Sequence, residues 1–150
     1  LRSRFPTILL TPAILLGSAL VASCGDANAN FASTVSDHVS AGEAFTLDAL
    51  DAPVKEWTSV YVACPYAVVD EAPAAYRSAL ATVDTSNEGS QWLVFTGAQD
   101  TKLLTLDRTN VDFCGGTDTG SEYQRTQKWT AHKPDSGTAW SLFPAPETGE

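Results

Sequence analysis

Apolar residues form an unbroken-looking run over residues 8–21, thin out, and fall into regular periods only from Trp57 onward. Residues 57–64 place Val60, Val62 and Cys64 on one face and Trp57 and Tyr61 on the other. Strong β formers over this length predict a strand buried at least in part on both faces, ended by Pro65, which brings no ladder donor. Asp70, Glu71 and Pro73 have the composition of a helix start, with Asp70 as N-cap. Ala72, Tyr76, Ala79, Leu80 and Val83 follow at helical spacing and form one apolar face. Polar residues 84–90, with Gly89, predict a loop. Residues 91–96 and 102–107 flank the turn sequence Gly97-Ala98-Gln99-Asp100 and predict a hairpin. A short strand over 110–113 leads to Cys114-Gly115-Gly116. One alternating strand over 123–132 carries Tyr123, Arg125, Gln127, Trp129 and Ala131 on one side, and the last strand covers 139–143. Residues 44–50, with Phe45, Leu47 and Leu50, fit neither period, and their type stays open. The pattern predicts an α+β domain over residues 41–143. In it, one amphipathic helix packs on an antiparallel β-meander of about five or six strands in two layers. Residues 144–150 lack apolar content and are expected to fray.

The first apolar run has a different character. Arg2 and Arg4 precede it, and it passes directly into Val21-Ala22-Ser23-Cys24. Interrupted by Pro12, it is shorter than the ~20 residues that cross a bilayer as a helix. A charged head, an apolar middle and small residues at the end are the layout of an export signal. An ordinary secretory signal cut near Ala27-Asn28-Ala29 and an uncleaved anchor are the alternatives. The tetrapeptide ending in Cys24 resembles the lipobox of bacterial lipoproteins. The resemblance implies a signal peptide over residues 1–23, a diacylglycerol on the Cys24 sulfur and a place on the extracytoplasmic face of the cell membrane. A pair of acyl chains anchors stably, since each buried methylene contributes ~0.8 kcal/mol and one chain alone is marginal. Residues 24–40, small and polar, are then expected to be the lipidated cysteine and a flexible tether.

Charge and cysteine content narrow the possible partners. Every acidic residue follows Cys24, where 18 Asp and Glu face seven Lys and Arg, a net charge of −11. Such a surface repels polyanions, so no nucleic-acid partner is expected. Once Cys24 is set aside, Cys64 and Cys114 remain, and two cysteines in an oxidising compartment most economically form one disulfide. Closing a loop of about 51 residues contributes ~4 kcal/mol in the chain-entropy picture and places the first strand beside the 110–113 segment. Two buried free thiols are the alternative.

Candidate chemistry is sparse. His38 and His132 lack any metal-ligand spacing and are expected to be solvated, so no metal or other cofactor is anticipated. No Gly-x-Ser-x-Gly, P-loop or dinucleotide pattern occurs, and Asp70 with Glu71 suits the positive end of a helix. No catalytic residue is therefore assigned, and the chain is expected not to be an enzyme. Tyr123, Arg125 and Trp129, with Trp140 nearby, form a candidate ligand-binding patch if their face meets solvent; packing into the core is the alternative. The stretch from Trp57 through Val60-Tyr61 to Pro65-Tyr66, followed by a helix start and by Trp92-Leu93-Val94-Phe95, resembles a group of small bacterial lipoproteins to which no chemistry is assigned. That resemblance covers about residues 55–113 and implies fold and export, not an activity; the Cys64/Cys114 pair is not part of it. The expected function is a membrane-anchored, monomeric, exported lipoprotein whose non-catalytic domain binds an envelope protein or other ligand. Two alternatives stand beside it: an enzyme with an unrecognised site, and a protein-inhibitor-like module. The latter resembles β-lactamase inhibitory protein domains, in which a helix and a curved sheet present aromatics to an enzyme.

Overall fold

The computed structural model describes residues 27–39, 42–116, 118–135 and 137–146. Residues 1–23 and Cys24, on which the signal and lipidation expectations fall, lie outside the described residues. Among the described residues the chain is α+β, with helices packed on sheets as expected. It has two helices and eight strands, and the strands form two sheets rather than one meander.

The larger sheet is antiparallel throughout. It joins β2 (Trp57–Ala63), β3 (Ser90–Gly97), β4 (Thr101–Asp107) and β6 (Gly120–Gln124) in the order β4-β3-β2-β6. The second sheet joins β1 (Phe45–Thr46), β5 (Val111–Asp112), β7 (Lys128–His132) and β8 (Trp140–Pro144) in the order β1-β7-β8-β5, with β5 parallel to β8. Both faces of β2 and β3 are covered, as their apolar runs require. Val60, Val62, Leu93 and Phe95 look into the main core, which the second sheet closes together with helix α1 (Ala27–His38). Tyr61, Ala63, Trp92 and Val94 look the other way, onto Tyr76 and Leu80 of helix α2 (Ala74–Leu80). The larger sheet is thus a middle layer, and two expected layers become three.

Several local expectations change, each for an identifiable reason. Residues 27–38 are not a tether but the 12-residue helix α1, so the folded domain begins well before residue 41. Phe31, Val35 and Val39 recur every four residues and are all buried. Phe31 meets Phe95 edge-on at 5.6 Å between ring centroids. Trp57 lies on the Val60 face, not opposite it, because β2 carries one extra residue at Thr58 relative to β3. Such a bulge reverses the side to which preceding residues point. Asp70 is not a helix cap. Val69–Glu71 form a 3-10 turn, and α2 starts only after Pro73. Ala72 is extended (φ −65°, ψ 149°), as proline requires of the residue before it. The single strand expected over 123–132 is two strands in different sheets. A turn in which the Gln127 amide donates to the Gln124 carbonyl at 2.9 Å separates them. The fray expected over 144–150 does not include its first two residues: Pro144 ends β8, and the Ala145 amide donates to the Lys128 carbonyl at 2.8 Å. Residues 147–150 lie outside the described residues. Residues 44–50, left open above, hold β1 and a 3-10 turn over Leu47–Ala49.

Candidate recognition edge and groove

Cys64 and Cys114 are joined in a disulfide, with Cα atoms 5.6 Å apart, tying the end of β2 to the residues just after β5. Gln91 reinforces this junction from inside the core, where it is wholly buried. Its amide nitrogen donates to the Val111 carbonyl at 2.5 Å, and its oxygen accepts from the Phe113 amide at 2.7 Å. The larger sheet thereby supplies the hydrogen bonds that hold the two-residue strand β5 in place. A lone amide heading the apolar run Trp92-Leu93-Val94-Phe95 was the available signal for this role, and sequence reasoning passed over it.

The four residues expected to form a ligand-binding patch do not share one surface. Trp129 is 1% exposed and sits in the core, with the Phe113 and Tyr123 rings against it at 5.3 and 4.7 Å. Arg125 lies in the turn between β6 and β7. Its guanidinium lies 5.9 Å from the Trp57 ring, pairs with Asp48 at 2.5 Å and donates to the Trp57 carbonyl at 3.2 Å. Trp140 is half-buried on β8, with the Lys133 ammonium 5.6 Å from its ring. The alternating aromatics pack inward, and the exposed aromatic face that would motivate the inhibitor-like reading is not formed. His38 packs edge-on against Phe45, and His132 ends β7. Among the described residues, no three His, Cys, Asp or Glu side chains gather to hold a metal.

Tyr123 nonetheless borders a groove. A hollow of about 290 Å³ opens beside β6, floored by Val62, Cys64 and Phe113 and walled by Tyr123, Leu142 and Phe143. The disulfide's Cys64 is therefore part of its floor. Asp118 is the one charged residue in the lining.

β6 forms one border of the larger sheet, and its ladder leaves half of its backbone unpaired. Among the described residues it pairs with β2 alone. The Cys64 amide donates to the Thr119 carbonyl at 2.8 Å, and the Arg125 amide donates to the Thr58 carbonyl at 2.9 Å. These bonds fix the alternation of the antiparallel ladder: Ser121 and Tyr123 turn their backbone groups toward β2. The N–H and C=O groups of Gly120 and Glu122, and the N–H of Gln124, therefore point away from the sheet. The Gln124 carbonyl is taken by Gln127.

The side chains of β6 that face α2 are held firmly. Glu122 accepts a hydrogen bond from the Tyr76 hydroxyl at 2.6 Å, and that hydroxyl also meets Ser59 Oγ at 2.7 Å. The Tyr76 ring stacks on Tyr61 with centroids 5.1 Å apart. Burial, reinforced by Glu122, pushes the Tyr76 hydroxyl above its ordinary range; burial, with Glu71 as a lesser cause, does the same for Tyr61. Gly120 is required for this arrangement, because a Cβ there would lie 2.1 Å from the Tyr61 hydroxyl oxygen. Just beyond β2, Tyr66 adopts a left-handed backbone (φ 67°), a costly conformation for an aromatic residue. Its amide donates to the Thr85 carbonyl at 2.7 Å, and its hydroxyl donates to Glu88. Tyr66 and Val68 are large apolar side chains left exposed, at 59% and 53%.

Compared with protein-family models, with curated proteins and with solved structures, the chain matches none.

Proposed function

We propose that this chain is an exported, lipid-anchored protein whose folded domain recognises another macromolecule and does not catalyse a reaction. The observation that carries the export half is the Cys64–Cys114 disulfide. Disulfides persist in oxidising compartments outside the cytoplasm, and this one accompanies a leader of the Arg-rich, apolar, Val21-Ala22-Ser23-Cys24 kind. The recognition half is supported by the border of β6, unpaired among the described residues, lying beside a groove of mixed polar and apolar lining. Acidity directs the choice of partner away from nucleic acid and anionic lipid.

The anchoring is tested by expressing the full chain and its Cys24→Ala variant in a bacterial host and washing the membranes with carbonate. The parent chain should stay with the membranes, carrying a mass at residue 24 that includes the acyl chains, while the variant appears in the soluble fraction. Retention of the variant on washed membranes would show that something other than Cys24 holds the protein there.

A further inference from the structure

We propose that the open border of β6 takes up an extended, basic segment of a partner protein as an additional strand of the larger sheet. The proposal deepens the recognition reading above and rests on it, but does not depend on the lipid anchor.

The first argument is the hydrogen bonding itself. The outward N–H and C=O groups of Gly120 and Glu122 offer a strand-pairing template with no partner among the described residues. Proteins that must avoid such pairing blunt the strand with lysine, proline or a bulge, or cover it. β6, Gly-Ser-Glu-Tyr-Gln, has no lysine, proline or bulge, and its one charge, Glu122, is tied to Tyr76. At the opposite border of the same sheet, β4 carries the exposed Lys102 and is partly flanked by a helix. Helix α1 lies against β4, and the Asn28 side-chain oxygen accepts from the outward Thr105 amide at 3.2 Å. One border is thus partly capped and bears a lysine, while the other, among the described residues, has neither device.

Side-chain chemistry then selects the occupant. Strand addition draws affinity from backbone pairing and specificity from pockets that receive alternate side chains. The groove lies on one face of β6, where Val62, Phe113, Leu142 and Phe143 offer contact to an apolar side chain beside the polar Ser121 and Asp118. Charges at the border are acidic: Glu122 on the strand and Asp118 in the groove lining. The nearby Arg125 is engaged by Asp48, and Arg108 is engaged bidentately by Asp112. A second copy of this chain would bring the same acidic border, with like charges opposed across the new ladder, which disfavours self-pairing. A segment alternating cationic and apolar residues satisfies both requirements.

The test uses the full chain, isotope-labelled in detergent micelles, and a blocked peptide of alternating lysine and valine about eight residues long, near a usual strand length. Titration should shift and protect the amides of Gly120, Glu122 and Gln124, with micromolar or tighter affinity. Replacing the lysines by glutamates should weaken binding at least about tenfold, the equivalent of ~1.4 kcal/mol. A peptide N-methylated on the edge that meets β6 should not bind, a control that leaves the protein unaltered. Gln124→Pro, which removes an amide hydrogen not used within the sheet, should abolish binding while the folded spectrum persists. Shifts centred on another surface, equal binding of the N-methylated peptide, or pairing of two copies through β6 in preference to the peptide would each overturn the proposal. A chain whose Cys24 proves unmodified can still pass this test, so anchor and edge fail independently.

Discussion

The two borders of the larger sheet face the same physical problem and meet it in opposite ways. At β4, a helix drawn from the polar segment ahead of the domain is laid over the strand. Phe31 and Val35 are pressed into the core, and Asn28 caps an outward amide. At β6, Tyr76 holds Glu122 on one face, the groove lies on the other, and the outward backbone has no partner among the described residues. Covering a strand edge removes a template for association, whereas bracing it from behind without covering it keeps the template in one geometry. The contrast separates a border partly capped by α1 from the border proposed for contact.

The largest effect is expected where the covered border is undone. Phe31→Ala removes a buried ring that faces Phe95 and should destabilise the fold by about 4 kcal/mol. Urea unfolding would measure that loss, and light scattering should show the exposed β4 border aggregating. If stability falls by less than about 1 kcal/mol, α1 is not an integral part of the domain. A smaller effect belongs to the open border. Gly120→Ala forces a methyl onto the Tyr61 hydroxyl, and the Tyr61 ring is held by its stack on Tyr76. Overpacking of this kind should cost about 2 kcal/mol and displace the border, so the lysine–valine peptide should bind more weakly. The smallest effect is a pH dependence. Tyr76 titrates above its unfolded value of about 10, so its contribution to stability is complete below that pH. It is lost as pH rises through the higher folded value. Chemical unfolding at pH ~9 and ~11 should show this decline, and Tyr76→Phe should flatten it. Tyr61, raised by its own burial, leaves a residual slope of the same sign. An unchanged slope in Tyr76→Phe would separate the hydroxyl from the bracing of β6.

What could be read from residues alone followed how much of the signal was local. β2 and β3 are rich in β-branched and aromatic residues and lie where expected, and the Gly97–Asp100 turn joins β3 to β4. The disulfide pairing was legible because only two cysteines remained to pair. α1 was missed because its composition, Ala-Asn-Ala-Asn followed by Ser and Thr, is that of a linker. The four-residue spacing of Phe31, Val35 and Val39 was present but spread over few apolar positions. The change of sheet between Tyr123 and Trp129 carries no glycine or proline. It depends on tertiary bonds, such as those from Arg125 to Asp48 and from Gln127 to the Ala145 carbonyl, that no local pattern announces. The open border itself depends on which strands pair, a property of topology that alternation in β6 alone could not reveal. For the same reason, alternation grouped Tyr123 with Arg125 and Trp129 without settling which way that face turns; Tyr123 packs against Trp129, while Arg125 lies in the turn.

The early start of α1 has a consequence for how such a protein would be displayed. With Cys24 acylated as proposed, Ala27 is only three residues from the anchor, and an extended chain reaches at most ~3.5 Å per residue. The domain would be held within about 11 Å of the headgroups, confined to a thin layer above the bilayer instead of swinging on a leash. Encounters would then be nearly two-dimensional: a basic strand displayed on the same membrane would meet β6 at a high effective concentration, while one arriving from bulk solution would not.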